Sequence, residues 1–276
     1  MNKKTYCFMA GLPRSGSTLL SSILNQHPMI YSGPSSPVLN IMHGLEEMIA
    51  KDEFFKAYPK EEQAGLMVSK VIDHFYADVL KPVIVDKHRG WPLKIDYVKG
   101  YFKIDHPKIL VPVRNMDEIL TSFLMLHRRK NGLYDTQSGK VNFIDEMLIK
   151  SNSPLTDENR CIALSTEGVI GVAYRAIQQA MMNGNQDCLH FIEYNDLVSD
   201  PDSTMKRVYD FLEMEPYDSH DYGNLTNANQ EHDQEVYGFA DMHHVRPQLK
   251  KTSSDPKEVL PRSILDRCKN TEFWRQ

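Results

Sequence analysis

Short apolar runs alternate with longer amphipathic segments along most of the chain. Four of the runs are predicted to be buried strands, because each is mostly apolar and ends at a polar turn. These strands lie at 5–10, 83–86, 109–113 and 189–193. Apolar residues at helical spacing predict helices at 17–26, 38–50, 61–80, 115–129, 141–150, 159–182 and 201–212. The alternation predicts an α/β fold with a central parallel β-sheet flanked by helices.

The turns that follow the predicted strands are where we expect the chemistry. In an open parallel sheet, ligands lie beside the carboxyl ends of the strands. The four turns follow Ala10, Asp86, Val113 and Glu193. Toward the C-terminus the apolar pattern weakens, and no low-complexity linker divides the chain. The sequence therefore predicts a single domain over residues 1–276, with a C-terminal tail at about 214–276.

The overall charge limits the classes of partner. The 276 residues include 32 Lys and Arg against 37 Asp and Glu, a net charge of −5. This balance argues against general affinity for nucleic acid or an anionic membrane, since both attract a basic surface. Any anion site must therefore be local.

The four cysteines and the N-terminal apolar run bear on the compartment. Cys7, Cys161, Cys188 and Cys268 are scattered, which favours buried reduced thiols over a disulfide framework or a zinc site. The apolar run at 6–12 is too short for a signal peptide, and no stretch approaches the length of a transmembrane helix. We expect a cytoplasmic protein.

The turn after the first strand carries a modified phosphate-binding motif. Gly11 and Gly16 stand at the spacing of a Walker A loop, with Thr18 at its Ser/Thr position and Ser17 where lysine belongs. Such a loop can surround an anion with backbone N–H groups at a helix N-terminus. Arg14 is the only cation within it.

The missing lysine argues against an ordinary nucleotide triphosphatase. That class relies on the lysine at the β/γ-phosphates and on a magnesium ion held by a Walker B aspartate. Here the strand at 109–113 instead ends in Arg114. Fixed cations and N–H donors suit a sulfuryl group, whose charge in transit is spread over three oxygens and can be stabilised without a metal.

Two motifs now carry a family resemblance. The segment Leu12-Pro13-Arg14-Ser15-Gly16-Ser17-Thr18-Leu19-Leu20 resembles the 5′-phosphosulfate loop of sulfotransferases that use 3′-phosphoadenosine 5′-phosphosulfate (PAPS), nearest the tyrosylprotein and bacterial branch. Val111-Pro112-Val113-Arg114, with Ser122 eight residues on, resembles the family's second signature. The resemblance covers about the first 215 residues. It implies a P-loop-like fold and transfer of a sulfuryl group from PAPS to a hydroxyl or amine, leaving 3′-phosphoadenosine 5′-phosphate (PAP), with no metal.

The resemblance also implies a set of nucleotide contacts. Arg114 and Ser122 would hold the 3′-phosphate, Tyr194 would lie beside the adenine, and the tail would cover the nucleotide. The 5′ end would be held by Pro13, Arg14, Ser15, Gly16, Ser17 and Thr18. The basic loop that closes the site would comprise Arg246, Lys250, Lys251, Thr252 and Ser253.

The acceptor side is less well defined. Lys87 matches the family lysine at the bridging oxygen, where Arg14 would assist it. Ser35 stands where the tyrosylprotein branch has a glutamate base, so His88 is the candidate substitute. His43 and Glu46 are further candidates. The acceptor would be a small molecule, a glycan or a peptide.

Two other functions stay open at this stage. The chain could be a P-loop kinase or NTPase-like enzyme with a displaced lysine, or a non-catalytic protein that binds PAP or PAPS. The pair His243-His244 invites a metal, but no carboxylate or third histidine stands at ligand spacing in the sequence. We therefore expect no metal site.

Overall fold

A computed structural model of the chain describes residues 4–129, 141–227, 231–239, 242–251 and 254–275. The strands are β1 (Thr5–Met9), β2 (Ile30–Ser35), β3 (Val83–Lys87), β4 (Ile109–Val113) and β5 (Leu189–Glu193). The helices are α1 (Ser17–Gln26), α2 (Val38–Lys51), α3 (Glu53–Ala57), α4 (Glu61–Phe75), α5 (Ile95–Phe102), α6 (Met116–Arg129), α7 (Phe143–Lys150), α8 (Asp157–Ser165), α9 (Val169–Met182), α10 (Tyr194–Ser199), α11 (Pro201–Leu212), α12 (Asp233–Tyr237), α13 (Pro256–Val259) and α14 (Arg262–Arg267). Short 3-10 turns occupy Trp91–Lys94, Gln186–Cys188 and Phe273–Arg275.

The five strands form one parallel sheet in the order β2-β3-β1-β4-β5. The chain leaves β1 toward one edge and later returns to β4 on the other side of β1. This reversal leaves a crevice between the carboxyl ends of β1 and β4, the usual place for a ligand in such sheets. The predicted parallel sheet and its four predicted strands are confirmed.

Alternate residues of the strands pack into two apolar layers, one on each face of the sheet. In β1, Phe8 belongs to one layer while Cys7 and Met9 belong to the other. Helix α6 covers the first layer, through residues such as Phe123, and α1 covers the second, through residues such as Ile23. Consequently the helices that follow β1 and β4 start on opposite sides of the crevice.

Strand β2 was not predicted from the sequence. Its Gly33 and Pro34 are turn formers, and they obscure the strand pattern. The strand lies at the edge of the sheet, where proline is tolerated, and its register shifts between Ser32 and Ser35.

The prediction of one long helix at 159–182 is wrong, and α4 ends earlier than expected. The chain turns sharply between α8 and α9 because Gly168 and Gly171 allow close backbone contact. A Cβ atom on Gly171 would lie 1.9 Å from the Thr166 carbonyl oxygen. Helix α4 stops at Phe75, and Leu80, the end of the predicted helix, is 97% exposed.

The state of the cysteines and the length of the helices bear on two predictions from the sequence. All four cysteines are buried and unpaired by disulfides, as the sequence predicts. Among the described helices, none combines the length and apolar character needed to cross a membrane.

Candidate functional site

The loop between β1 and α1 is fastened to the neighbouring strand β4. The Leu12 N–H donates to the Pro112 carbonyl over 2.9 Å, and the Ser15 hydroxyl donates to the same oxygen over 2.8 Å. A Cβ on Gly11 would lie 2.2 Å from that oxygen, so only glycine permits the approach. Ser15 is fully buried, and its hydroxyl therefore anchors the loop rather than facing the crevice.

Two residues of the loop adopt left-handed backbone conformations that shape its entry into α1. Gly16 caps the helix with φ 89°, and its Cβ would lie 2.8 Å from the Tyr194 ring. Arg14 has φ 61°, which costs a non-glycine residue about 1–2 kcal/mol. Glycine would adopt this conformation without strain. The presence of arginine therefore indicates that its side chain has a role there.

The Arg14 side chain joins three parts of the molecule. Its Nε donates to the Ser122 hydroxyl over 3.1 Å, and its Nη1 donates to the Met242 carbonyl. Its own carbonyl accepts from Arg114 Nη1 over 3.3 Å. The structure therefore brings together Arg14, Arg114 and Ser122, which the two sequence motifs had placed in one site.

Arg114 follows β4 and is held over an aromatic face. Its guanidinium lies 4.1 Å from the centre of the Tyr194 ring, and its Nε lies 3.3 Å from Glu118 one turn along α6. Both residues of this ion pair are buried. The pair fixes the direction of the guanidinium while its remaining N–H groups stay near the crevice.

A cavity of about 650 Å³ occupies the crevice. Its lining is strongly basic although the protein as a whole carries a net charge of −5. Among the described lining residues one is acidic, Glu118, and six are Lys or Arg. These are Arg14, Arg89, Arg114, Arg246, Lys250 and Lys251. The cavity therefore concentrates positive charge in one place on a protein that is acidic overall.

Most of the predicted nucleotide contacts surround this cavity. It is lined by Pro13, Arg14, Gly16, Ser17, Thr18, Arg114, Ser122, Tyr194, Arg246, Lys250 and Lys251. Ser15 supports the loop from behind, as described above. Thr252 and Ser253 lie outside the described residues.

One lining residue was missed by the sequence reasoning and supports a polar ligand. Thr121, next to Ser122 on α6, is 2% exposed, and its hydroxyl has no hydrogen-bond partner among the described residues. A buried unpaired hydroxyl is unfavourable by about 1–3 kcal/mol unless a ligand or water satisfies it. The cavity thus offers cations, helix N–H groups and an unpaired hydroxyl, which together fit a phosphorylated nucleotide.

The turn after β3 is built around the buried carboxylate of Asp86. This carboxylate accepts hydrogen bonds from Tyr76 and the Trp91 indole, each over 2.7 Å, and from the Ser36 hydroxyl. Burial nonetheless raises the pKa of Asp86. The three donors come from three different elements, so they fix the course of the chain through Lys87.

Lys87 and His88 lie behind the cavity rather than in its lining. Lys87 is 6% exposed, and burial lowers the pKa of its ammonium group to about 8. The His88 Nδ1 accepts from the Gly90 N–H over 3.1 Å, and burial lowers the pKa of the ring. In this basic turn the residue that lines the cavity is Arg89, which the sequence analysis did not single out.

The other candidates for the base are farther from the cavity lining. Ser35 is exposed at the end of β2, and His43 is about half exposed on α2 beside Glu47. Glu46 accepts a hydrogen bond from Tyr101.

Part of the C-terminal tail lines the cavity. Residues 231–254 are here termed the capping segment, of which 231–239, 242–251 and 254 are described. Its residues Met242 to Arg246 line the cavity opposite α6. Lys251 lies 3.9 Å from Glu118 across the opening.

Although no carboxylate stands at ligand spacing from the histidine pair in the sequence, the fold places two beside His243. His243 Nδ1 lies 2.6 Å from Asp233 and 3.2 Å from Glu231. These acids are ten and twelve residues away in sequence, and the fold of the capping segment brings them together. Local spacing could not reveal a contact of this kind.

Comparisons with known proteins agree with this geometry. The chain matches the sulfotransferase family over residues 7–219. It is 23% identical to protein-tyrosine sulfotransferase A of Caenorhabditis elegans over 222 residues, which cover 77% of this chain and 50% of that protein. It is 22% identical to nodulation protein NoeE of Sinorhizobium fredii (strain NBRC 101917 / NGR234) over 229 residues, which cover 76% and 50%. The chain spans about half the length of these two relatives.

A solved structure extends the likeness to the fold. The sulfotransferase domain of the Synechococcus PCC 7002 olefin synthase superposes with a TM-score of 0.56 at 17% identity. The superposition covers 100% of this chain and 96% of that domain. The predicted P-loop-like sulfotransferase fold is confirmed.

Proposed function

Because the chain belongs to the sulfotransferase family, we propose that it transfers a sulfuryl group from PAPS to a hydroxyl or amine acceptor and releases PAP. The observation that carries the proposal is the convergence of Arg14, Arg114 and Ser122 on one basic cavity. These residues come from two motifs more than 90 positions apart in the sequence. Their meeting at the strand-order reversal supports a common anionic ligand.

The loop is proposed to hold the 5′ end of the donor. The N-terminus of α1 offers the backbone N–H groups of Ser17 and Thr18, and Arg14 adds a positive charge. Negative charge that develops on the leaving phosphate oxygen would be stabilised by these groups.

The second end of the site is proposed to hold the 3′-phosphate. Arg114 and Ser122 line the cavity, and Thr121 offers an unpaired hydroxyl beside them. Tyr194 would support the adenine or ribose while it orients Arg114. The basic residues of the capping segment, Arg246, Lys250 and Lys251, would cover the bound nucleotide.

Lys87 is proposed to approach the bridging oxygen once the donor is bound. Glu231 and Asp233 of the capping segment act on its ammonium electrostatically and raise its pKa, against the larger lowering by burial. The arrangement supplies cations from the protein itself, so we propose that transfer needs no metal ion. Serine at position 17 in place of the Walker lysine disfavours the kinase alternative.

The proposal also covers the extent of the domain, the location of the protein and the class of acceptor. We infer one domain over residues 1–276, with the tail from about 214 covering the nucleotide, and a cytoplasmic location. The acceptor would be a small molecule, a glycan or a peptide. The relative from Caenorhabditis elegans acts on protein tyrosine, as its name states, but Ser35 replaces the glutamate expected in that branch.

Thermal unfolding with PAP, in EDTA, tests the proposal. A ligand that binds only the folded state at 100 times its Kd stabilises it by about 2.7 kcal/mol. For a chain of this size we expect PAP to raise Tm by about 5–10 °C. ATP with magnesium should produce no comparable shift. A shift with magnesium–ATP and none with PAP would contradict the proposal and favour the kinase alternative.

A further inference from the structure

His243, in the capping segment, is held in one orientation by Asp233. The His243 backbone N–H donates to Asp233 Oδ2 over 2.7 Å, and Nδ1 donates to Asp233 Oδ1 over 2.6 Å. The carboxylate therefore binds both the main chain and the ring of the same residue. Asp233 is itself buried at the first position of α12, and the two hydrogen bonds are here termed the clamp.

The clamp determines which nitrogen of the His243 ring can accept a proton. A carboxylate that accepts from Nδ1 favours the tautomer with the proton on Nδ1, which leaves a lone pair on Nε2. His243 lines the cavity, and among the described residues none is bonded to its Nε2. His243 is thus a cavity-lining residue whose ring carries its proton on Nδ1 and a lone pair on Nε2.

The charges around the ring suit a group that gains a proton during turnover. Asp233 and Glu231 lie beside Nδ1 and would stabilise the imidazolium. Lys87 and Arg89 face these acids from the turn after β3, and the Tyr237 ring packs edge-on against the imidazole.

The alternative base, His88, is placed less favourably. Its Nδ1 accepts from the Gly90 backbone, and it is not among the residues that line the cavity. Ser35, where the related branch has a glutamate, is exposed at the end of β2. Of these positions, His243 alone both lines the cavity and has a carboxylate that orients its ring.

We propose that His243, oriented by Asp233, is the catalytic base that removes the proton from the acceptor, an inference that rests on the proposed function. The acceptor oxygen or nitrogen forms a bond to sulfur as its proton moves to His243 Nε2. The bond between sulfur and the bridging oxygen breaks, and its electron pair stays on the 5′-phosphate of PAP. The proton on Nε2 then passes to water, which restores the base.

The first test combines donor turnover with PAP binding. Consumption of [35S]PAPS is followed with a fixed mixture of phenols, alcohols, amines and a tyrosine peptide, and water is counted as an acceptor. His243→Asn keeps an N–H that can reach Asp233 but removes the base. Loss of a general base slows a reaction about 100-fold or more, so we expect that loss with the calorimetric Kd for PAP changed less than about threefold.

The matched control is His232→Asn, in the same segment. His232 is 82% exposed and lies beside Glu235, so its substitution should leave turnover and PAP binding unchanged. Asp233→Asn should lower turnover about tenfold or more, because the ring loses the carboxylate that orients it and stabilises the imidazolium. All variants are first compared by thermal unfolding.

A measurement independent of turnover tests the orientation of the ring. In 15N NMR spectra of histidine-labelled protein, His243 should be protonated on Nδ1 in the wild type. In Asp233→Asn the Nδ1 tautomer should lose its preference, whereas His232→Asn should leave the His243 signals in place. Protonation of His243 on Nε2 in the wild type would overturn the proposal.

The outcomes separate this inference from the function on which it rests. If the wild type binds PAP and His243→Asn retains more than a third of the turnover, the base is assigned wrongly. If His243→Asn weakens PAP binding as much as it lowers turnover, His243 is a binding residue instead. If the wild type does not bind PAP, the proposed function itself fails. Binding of PAP with no PAPS consumption above that of an Arg14→Ala control overturns both the base and the transfer.

Discussion

The loop between β1 and α1 and the capping segment line the same cavity, yet they are built in different ways. The loop is a continuous run whose course is set by its own glycines and by backbone bonds to β4. The capping segment contains one short helix, α12, and its key contacts join residues such as Asp233 and His243. One side of the cavity is therefore determined locally, and the other depends on the tertiary fold.

The difference predicts separate responses to mutation. The loop residues support folding and binding at once, because Ser15 and Gly16 pack against β4 and Tyr194 while α1 faces the cavity. The capping residues Arg246, Lys250 and Lys251 are largely exposed and contribute little to the fold alone. Changes in the capping segment should therefore alter ligand binding and turnover more than stability.

Arg14→Gly should have the largest effect on binding. The change removes the cation but suits the left-handed backbone at φ 61°, so the fold should be kept. Charge-assisted bonds contribute about 1.5–3 kcal/mol, so PAP affinity should fall about 10- to 100-fold with Tm within about 3 °C of the wild type. Lys103→Gly is the matched control, because Lys103 has φ 55° on an exposed turn and should leave affinity unchanged. An unchanged PAP affinity in Arg14→Gly would show that the loop is not part of the donor site.

Asp86→Ala should produce the largest loss of stability. It leaves the Tyr76 hydroxyl, the Trp91 indole and the Ser36 hydroxyl without their common acceptor. Unpaired buried donors are unfavourable by about 1–3 kcal/mol each, so chemical denaturation should show a free energy of unfolding lower by about 3 kcal/mol or more. Asp78→Ala, at an exposed position, serves as the control. A stable Asp86→Ala protein with full turnover would show that the turn needs no such anchor.

Lys87→Arg should change the pH dependence of turnover. Burial lowers the pKa of Lys87 to about 8, so the charged form of the free enzyme is lost as pH rises through about 8. The wild type should therefore lose kcat/KM above about pH 8, which reports the free enzyme. In Lys87→Arg the guanidinium stays charged, and this alkaline loss should disappear even if the maximal rate is lower. An unchanged alkaline limb in the variant would assign it to another group.

Lys251→Ala should have the smallest effect. Lys251 is 55% exposed on its side chain and lies 3.9 Å from Glu118, so the pair contributes about 0–1 kcal/mol to the fold. Tm should stay within about 2 °C, while PAP affinity falls about threefold and depends less on salt. Lys269→Ala, which removes an exposed lysine from a surface pair with Asp266, should change neither quantity. A large loss of stability in Lys251→Ala would contradict the contrast between the two regions.

The same contrast explains what the sequence could predict. The loop, the strand ending in Arg114 and Ser122 were found because each motif is continuous and follows a strand whose place in the sheet is predictable. Thr121 was missed because a sequence does not show whether a hydroxyl has a hydrogen-bond partner. Its unpaired state is seen only when the residues around it in the fold are known. The contact between His243 and Asp233 was missed because it joins residues without regular spacing.

Two errors in the fold have equally specific causes. Strand β2 was hidden by Gly33 and Pro34, whose turn preference is overridden at the edge of the sheet. The break between α8 and α9 was hidden by a continuous apolar pattern, although Gly168 and Gly171 stand at the bend. In both places tertiary contacts outweigh local propensity.

Calorimetric titration of the wild type with PAP and with adenosine 5′-phosphate, in EDTA, tests the central claim most directly. The two ligands differ only in the 3′-phosphate proposed to contact Arg114 and Ser122. Because charge-assisted bonds to that group contribute about 1.5–3 kcal/mol, PAP should bind about 10- to 100-fold more tightly, and Arg114→Gln should remove most of the difference. Equal affinities for the two nucleotides, or no binding of either, would contradict the assignment of this cavity as a PAPS site.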